Sequence, residues 1–206
     1  IGMDNLILDL RNNPGGLMDQ AIEIVDLFIN SNDTILFTKG RIRNANETFY
    51  ASKNKNDNNM PIITLMNRGS ASASEIVSGA IKDNNRGKLV GKKTFGKGLV
   101  QSMRTLVDGS GLTVTVAKYL TPNGTDINKF GIMPDIEVKM NSNPILQREI
   151  GTRRDKQYRA GELELVKVIK RNLGEVKTNN GKSEIKYLIT YKAKIISLTP
   201  GDEVEV

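Results

Sequence analysis

Two residues in this chain have the type and setting for covalent chemistry: a serine that opens a helix behind an apolar run, and a lysine framed by glycines. Ser72 follows the run 61–67 through the turn Arg68-Gly69-Ser70-Ala71. At a helix start a hydroxyl can stand exposed, and the N–H groups of the first turn point at an anion formed beside it. The same stretch, Ser72-Ala73-Ser74-Glu75, also spells a capping box, in which Ser72 would merely cap the helix. Lys97 lies between Gly96 and Gly98, just after Phe95, and Gln101 follows four residues later. Period-2 alternation places 97, 99 and 101 on one face, so the Gln101 amide oxygen could orient the amine. A phosphate- or substrate-binding lysine, or plain surface charge, fits that segment too. A third segment, Asn12-Asn13-Pro14-Gly15-Gly16, puts tandem glycines after a strand. Such a pair permits a backbone closed to other residues, with an N–H facing a ligand. No Gly-Lys-Ser/Thr follows, so it is not a P-loop.

Composition narrows the chemistry further. The 206 residues include no His and no Cys. That excludes a Ser-His-Asp triad, a Cys nucleophile, a Cys/His zinc site and a haem held by His or Cys. A general base must come from Lys, Asp, Glu or Tyr, and no metal or cofactor is expected. The formal charge is +7. The densest basic run, Lys82, Arg86, Lys88, Lys92, Lys93 and Lys97 around Asp83, reads as a solvated face. Aromatic residues are only 5%, too few to interleave as a nucleic-acid groove would require. No apolar run approaches the ~18–20 residues of a membrane span.

The elements that must position these groups alternate strand and helix, which favours an α/β core. Leu6-Ile7-Leu8-Asp9-Leu10 reads as a buried strand, followed by a helix over 19–29 and a strand over 34–38. Residues 44–59 read as loop with a short strand at 47–51. A buried strand over 61–67 leads into a helix over 72–82. Strands follow at 88–91, 99–104 and 112–120, with turns at 108–111 and 121–124. Beyond Asn141 the texture changes: a charged helix over 155–173 carries Leu163, Val166, Ile169 and Leu173 on one stripe, and 184–198 holds one or two strands.

Taken together, four ordered motifs resemble the carboxyl-terminal processing peptidases, a family of Ser/Lys endopeptidases. They are Leu8-Asp9-Leu10-Arg11-Asn12-Asn13-Pro14-Gly15-Gly16, Asn67-Arg68-Gly69-Ser70-Ala71-Ser72-Ala73-Ser74-Glu75-Ile76, Lys93-Thr94-Phe95-Gly96-Lys97-Gly98 with Val100-Gln101, and Gly131-Ile132-Met133-Pro134-Asp135-Ile136. The resemblance spans about 6–138. The runs around Asp108-Gly109-Ser110-Gly111-Leu112, Tyr119-Leu120-Thr121-Pro122 and Asp126-Ile127-Asn128-Lys129 look closest to the photosynthetic branch, which matures a photosystem II reaction-centre protein. The resemblance implies Ser72 as nucleophile, Lys97 as general base, Gln101 orienting the amine, and the N–H groups of Gly16 and Ala73 as oxyanion hole. It gives Asp83 at most a supporting role. It implies a crotonase-like or ClpP-like core of stacked ββα units over 1–140, with 141–206 as a helix-and-strand extension. It also implies protein substrates recognised by extended C-terminal tails, membrane-associated ones among them, in the periplasm or thylakoid lumen. Family members carry a PDZ domain upstream. The chain opens directly on a strand, as a cut inside a longer protein would.

A lysine takes a proton only when its pKa falls. Lowering ~10.4 by ~3 units costs ~4 kcal/mol, within what an apolar pocket supplies, and Phe95 with its flanking glycines is the expected pocket. Two rival readings are a peptide-binding module without turnover and another anion-hole enzyme acting on thioesters. The pairing of Ser72 with Lys97 argues against the second, which needs no serine nucleophile.

Overall fold

The computed structural model describes residues 4–41, 43–52, 59–139, 150–152, 154–173 and 195–197. Its elements in chain order are β1 (Leu6–Asp9), α1 (Met18–Asp26), β2 (Thr34–Gly40), a 3-10 turn, β3 (Glu47–Tyr50), β4 (Ile62–Met66), α2 (Ala73–Asp83), β5 (Lys88–Gly91), β6 (Leu99–Thr105), β7 (Gly111–Leu120), β8 (Ile136–Glu137), α3 (Lys156–Leu173) and β9 (Ile195–Ser197). Most lie within a residue or two of the sequence expectation. The pair β8–β5, made by two residues, had no periodic signal to announce it. The remainder of the strand expectation over 184–198 lies outside the described residues.

Two sheets form. The first has the order β8-β5-β4-β1-β9, and every pair in it is parallel. The second has the order β3-β2-β7-β6 and is antiparallel. The near-continuous apolar runs of β1 and β4 follow from burial on both faces of the parallel sheet. On one face Leu6, Leu8, Ile62, Met66 and Leu89 meet Ala21 and Val25 of α1 and Ile76, Val77, Ala80 and Ile81 of α2. On the other, Ile7, Ile63, Leu65 and Val90 meet Leu165 of α3.

The face that α3 buries differs from the expected stripe. Leu163 is exposed, whereas Leu165 is buried, with Tyr158 and Ile169 packed beside it. Gly161 explains the choice: a Cβ there would lie 3.0 Å from Leu65 Cδ2, so the glycine lets the helix settle onto β4. Helix α3 thus supplies a third layer, on the face of the parallel sheet opposite α1 and α2.

A buried ion-pair cluster ties α3 to β1. Arg11, two residues past the strand, binds Asp9 through Nε at 2.8 Å and through its terminal nitrogen at 2.5 Å, and binds Asp155 at 2.8 Å. It also donates to Gln157 at 3.3 Å. Burial opposes the Arg11 charge, but its hydrogen bonds to Asp9 and Asp155 outweigh that and hold the guanidinium above its ordinary value. Asp155 caps the helix in turn, accepting from the N–H groups of Gln157 and Tyr158.

The basic run is employed locally. Lys82 donates to the Met133 carbonyl at 2.6 Å and faces Asp135 at 3.8 Å. Arg86 holds the carbonyls of Phe28 and Met60, and Lys92 pairs with Glu137.

Candidate active site

Three neighbouring strands of the parallel sheet, β1, β4 and β5, end at the same edge. The loops that leave them carry Gly16, Ser72 and Lys97 respectively. This is the edge at which open parallel sheets bind ligands. All five principal residues expected from the sequence, Gly16, Ser72, Ala73, Lys97 and Gln101, line one cleft of about 240 Å³.

The loops are stitched together before any side chain is considered. Asn12 and Asn67 exchange hydrogen bonds: Asn67 Oδ1 accepts from Asn12 N–H at 3.0 Å, and Asn67 Nδ2 donates to Asn12 Oδ1 at 2.9 Å. The Asn13 carbonyl accepts from Ala71 N–H and from the Ser74 hydroxyl, both at 3.1 Å. The Ser70 carbonyl accepts from Phe95 N–H at 2.9 Å, which fastens the lysine loop to the serine turn.

These bonds also separate the three serines. Ser70 is fully buried and its hydroxyl donates to the Leu10 carbonyl at 2.7 Å. Ser74 is buried and spends its hydroxyl on Asn13. Ser72 is half-buried and lines the cleft, with φ 55° and ψ −117°. For a non-glycine residue this backbone is strained, costing of order 1–3 kcal/mol, and such strain gathers at functional sites. It resembles the sharp strand-to-helix turn that exposes a serine oxygen in other hydrolases. Sequence gives no sign of it.

The capping box is formed on both sides. Glu75 accepts from Ser72 N–H at 2.9 Å, and the Ser72 side chain faces Glu75 N–H, which also donates to the Ser72 carbonyl at 2.8 Å. Glu75 does far more than cap. It is fully buried, and its carboxylate also accepts from the Thr94 hydroxyl at 2.5 Å, Gly96 N–H at 2.7 Å and Lys97 N–H at 2.8 Å. One carboxylate thereby holds the Ser72 turn and the Lys97 loop in register.

The shape of the loop that carries Gly16 depends on Gly15 as much as on Gly16 itself. Gly15 has φ 89°, and a Cβ there would stand 2.5 Å from the Ala71 carbonyl and 2.8 Å from Ser72 Cβ. Gly16 has open space around it. Among the described residues, neither Gly16 N–H nor Ala73 N–H has an acceptor, and both groups sit at helix starts beside the cleft. A second, apolar cavity of about 70 Å³ lies between α1 and α2 and shares Gly16, Leu17 and Ala73 with the cleft.

Two sequence expectations need correction. Phe95 is 62% exposed and Lys97 is exposed, so no apolar pocket surrounds the amine. The aromatic ring turns outward because Gly96 and Lys97 are pulled inward by their backbone bonds to Glu75. The strand β6 begins only at Leu99, and a register shift against β7 falls between Val100 and Gln101, so simple alternation from 97 to 101 does not apply. Leu99, Val100 and Gln101 all line the cleft nonetheless. Asp83 lies at the far end of α2, about 16 Å of helix rise from Ser72, where it accepts from Asn123 N–H at 3.0 Å. It does not line the cleft. No group of three or more potential metal ligands occurs among the described residues.

Comparison with known proteins bears on this arrangement. The model of peptidase family S41 matches residues 1–138. The chain belongs to peptidase family S41. It is 48% identical over 159 residues to the carboxyl-terminal-processing protease of Picosynechococcus sp., covering 77% of this chain and 37% of that protein. It is 47% identical over 134 residues to carboxyl-terminal-processing peptidase 1, chloroplastic, of Arabidopsis thaliana, covering 65% and 27%. Among solved structures, the photosystem II D1 C-terminal processing protease superposes with a TM-score of 0.59 at 40% identity, covering 66% of this chain and 35% of that one. The chain therefore spans about a third of the length of these relatives. The relatives named here are carboxyl-terminal-processing proteases, and the chain's mixed α/β fold superposes on part of the D1 processing protease.

Proposed function

We propose that this S41 chain is a serine endopeptidase in which Ser72 attacks the peptide carbonyl and Lys97 takes the hydroxyl proton. The reading rests above all on one observation. Of three clustered serine hydroxyls, Ser70 and Ser74 are spent on main-chain carbonyls, while Ser72 faces the cleft that also holds Lys97, Gln101 and the two free amides. Attack moves negative charge onto the carbonyl oxygen, which the N–H groups of Gly16 and Ala73 stabilise. The proton held by Lys97 passes to the leaving amine, and water then hydrolyses the acyl-Ser72 ester. Gln101 orients the amine through its amide oxygen.

Lys97 makes no ion pair or hydrogen bond through its amine among the described residues. Desolvation is what turns a lysine into a base. Because the cleft is open, the substrate itself must supply much of that desolvation by covering Lys97 as it binds. In this view the exposed Phe95 and Leu17 flank the entry and meet the incoming chain. The order β1-loop-α1 and β4-loop-α2, each helix start presenting an amide to the site, supports a core of the crotonase-like stacked type. We take residues 1–140 as the catalytic part, with 141–206 as an extension that braces it. Substrates are proteins cut near extended C-terminal tails, some of them membrane-associated, outside the cytoplasm. The chloroplast and cyanobacterial relatives support that placement.

A covalent serine probe of the fluorophosphonate type tests the reading. Labelling should fall on Ser72 and be lost in Ser72→Ala, while Ser70→Ala and Ser74→Ala keep at least part of it. Labelling that persists in a folded Ser72→Ala protein would overturn the assignment. Absence of labelling with peptide binding intact would leave the non-catalytic module instead.

A further inference from the structure

Glu75 holds N–H groups of the site; the matching carbonyls are held by a residue to which the sequence assigned no role. Tyr119, near the end of β7, is buried and its ring borders the cleft. Its hydroxyl donates to the Ser72 carbonyl at 2.9 Å and also contacts the Lys97 carbonyl. Ser72 and Lys97 are therefore gripped identically: each has its N–H on Glu75 Oε2 and its carbonyl at the Tyr119 hydroxyl.

We propose that Tyr119 is a positioning residue for the reaction, locking the main chain of nucleophile and base to each other through their carbonyls, as Glu75 does through their N–H groups. The inference rests on Ser72 and Lys97 being that pair. Tyr119 is well placed for it, because its own backbone is fixed twice. Its N–H donates to the Gly98 carbonyl at 3.1 Å, and it pairs with Thr38 in the antiparallel sheet. Through this one hydroxyl the second sheet reaches the strained turn carried by the first. The phenol has a single proton for two acceptors, so it bridges the two carbonyls rather than saturating either. Burial and the nearby Glu75 charge push its ionisation upward, so the proton is retained throughout the working range. Without the bridge, the Ser72 carbonyl and the Lys97 carbonyl lose their common partner and the two loops can drift apart. A displacement of about 1 Å in such a pair costs roughly 100-fold in rate.

The experiment compares Tyr119→Phe with the wild-type protein. The readouts are the rate of Ser72 acylation by a small fluorophosphonate, the kcat and KM for a peptide, and the thermal midpoint. Phe keeps the ring and removes only the hydroxyl. Acylation and kcat should fall about 10- to 100-fold, KM should stay within about twofold, and rates are taken per folded molecule so that partial unfolding does not count. Tyr119→Met, which fills the space with a flexible chain, should show the same loss and serves if the Phe variant does not fold. A purely structural tyrosine would lower the thermal midpoint and leave acylation per folded molecule unchanged, which overturns the proposal. Wild-type acylation in either folded variant, with Ser72→Ala and Lys97→Ala inert, sinks this inference alone. Acylation that survives in Ser72→Ala sinks the reading beneath it.

Discussion

Replacing Glu75 by Gln tests whether one buried carboxylate really organises the site. The side chains have the same shape, so the change is electrostatic. Oε2 accepts from Ser72 N–H and Lys97 N–H, and Oε1 from Gly96 N–H and the Thr94 hydroxyl. An amide must place its NH2 at one of the two positions. At the Oε2 position it would face two backbone N–H donors, so it should settle at Oε1, where the Thr94 hydroxyl can rotate to accept from it. Gly96 N–H then loses its acceptor inside the protein. An orphaned buried donor costs about 1–3 kcal/mol, and charge-assisted bonds become ordinary ones, adding roughly another 1. The expected loss is about 3 kcal/mol. With a urea m-value of ~2 kcal/mol/M, the unfolding midpoint should drop by about 1.5 M. A Glu75 that only capped an exposed helix end would cost about 1 kcal/mol. Because the donors belong to the lysine loop, acylation of Ser72 should slow as well. A midpoint shift below about 0.3 M at unchanged m-value, or a full shift with acylation at the wild-type rate, would refute the reasoning.

Other outcomes follow from the same geometry. Gly15→Ala should abolish activity and destabilise the fold, because its Cβ would meet the Ala71 carbonyl at 2.5 Å, whereas Gly16→Ala, with nothing within 4 Å, should leave the unfolding midpoint nearly unchanged; equal effects on stability would contradict this. Asp155 is opposed by burial, but its bonds from Arg11 and from the Tyr158 and Gly151 amides hold its pKa below the ordinary 3.8. A depressed carboxylate contributes stability above its unfolded pKa and loses it as pH falls through the folded one. Asp155→Asn should therefore cost about 2 kcal/mol near neutral pH, less than a fully severed buried pair because Asp9 still holds Arg11. Urea titrations should show that gap closing below pH 3.8, and a gap constant into strong acid would rule the linkage out. Asp83→Asn should keep peptide hydrolysis within about twofold, as surface changes usually do; a tenfold loss would restore a supporting role.

Much of this site is legible in the sequence because its parts sit in contiguous loops with strong local signals. Tandem glycines mark the Gly15–Gly16 turn, the strand-turn-helix pattern marks Ser72, and Gly96 and Gly98 frame Lys97. What could not be read is what crosses between loops. Glu75 looks like half of a capping box, since its bonds to Thr94, Gly96 and Lys97 join residues about twenty positions apart. Tyr119 reads as one more alternating strand residue, because only the packing of two sheets brings it to Ser72. The exposure of Lys97 was misjudged for the same reason: Phe95 is adjacent in sequence but faces solvent. In α3, apolar residues exceed what one stripe can bury, and Gly161 rather than leucine count decides which side meets the sheet.

Whether Lys97 is the base is decided by the pH dependence of Ser72 acylation in the wild-type protein and in Lys97→Arg. No histidine exists to titrate near neutrality, so a rising limb is assignable. Arginine keeps the charge but does not deprotonate in proteins. Acylation is expected to rise with pH in the wild-type protein, and Lys97→Arg to be as inert as Lys97→Ala with the limb gone. A Lys97→Arg protein that acylates within about tenfold of wild type, a loss of only ~1.4 kcal/mol, along the same pH curve would contradict that role for Lys97.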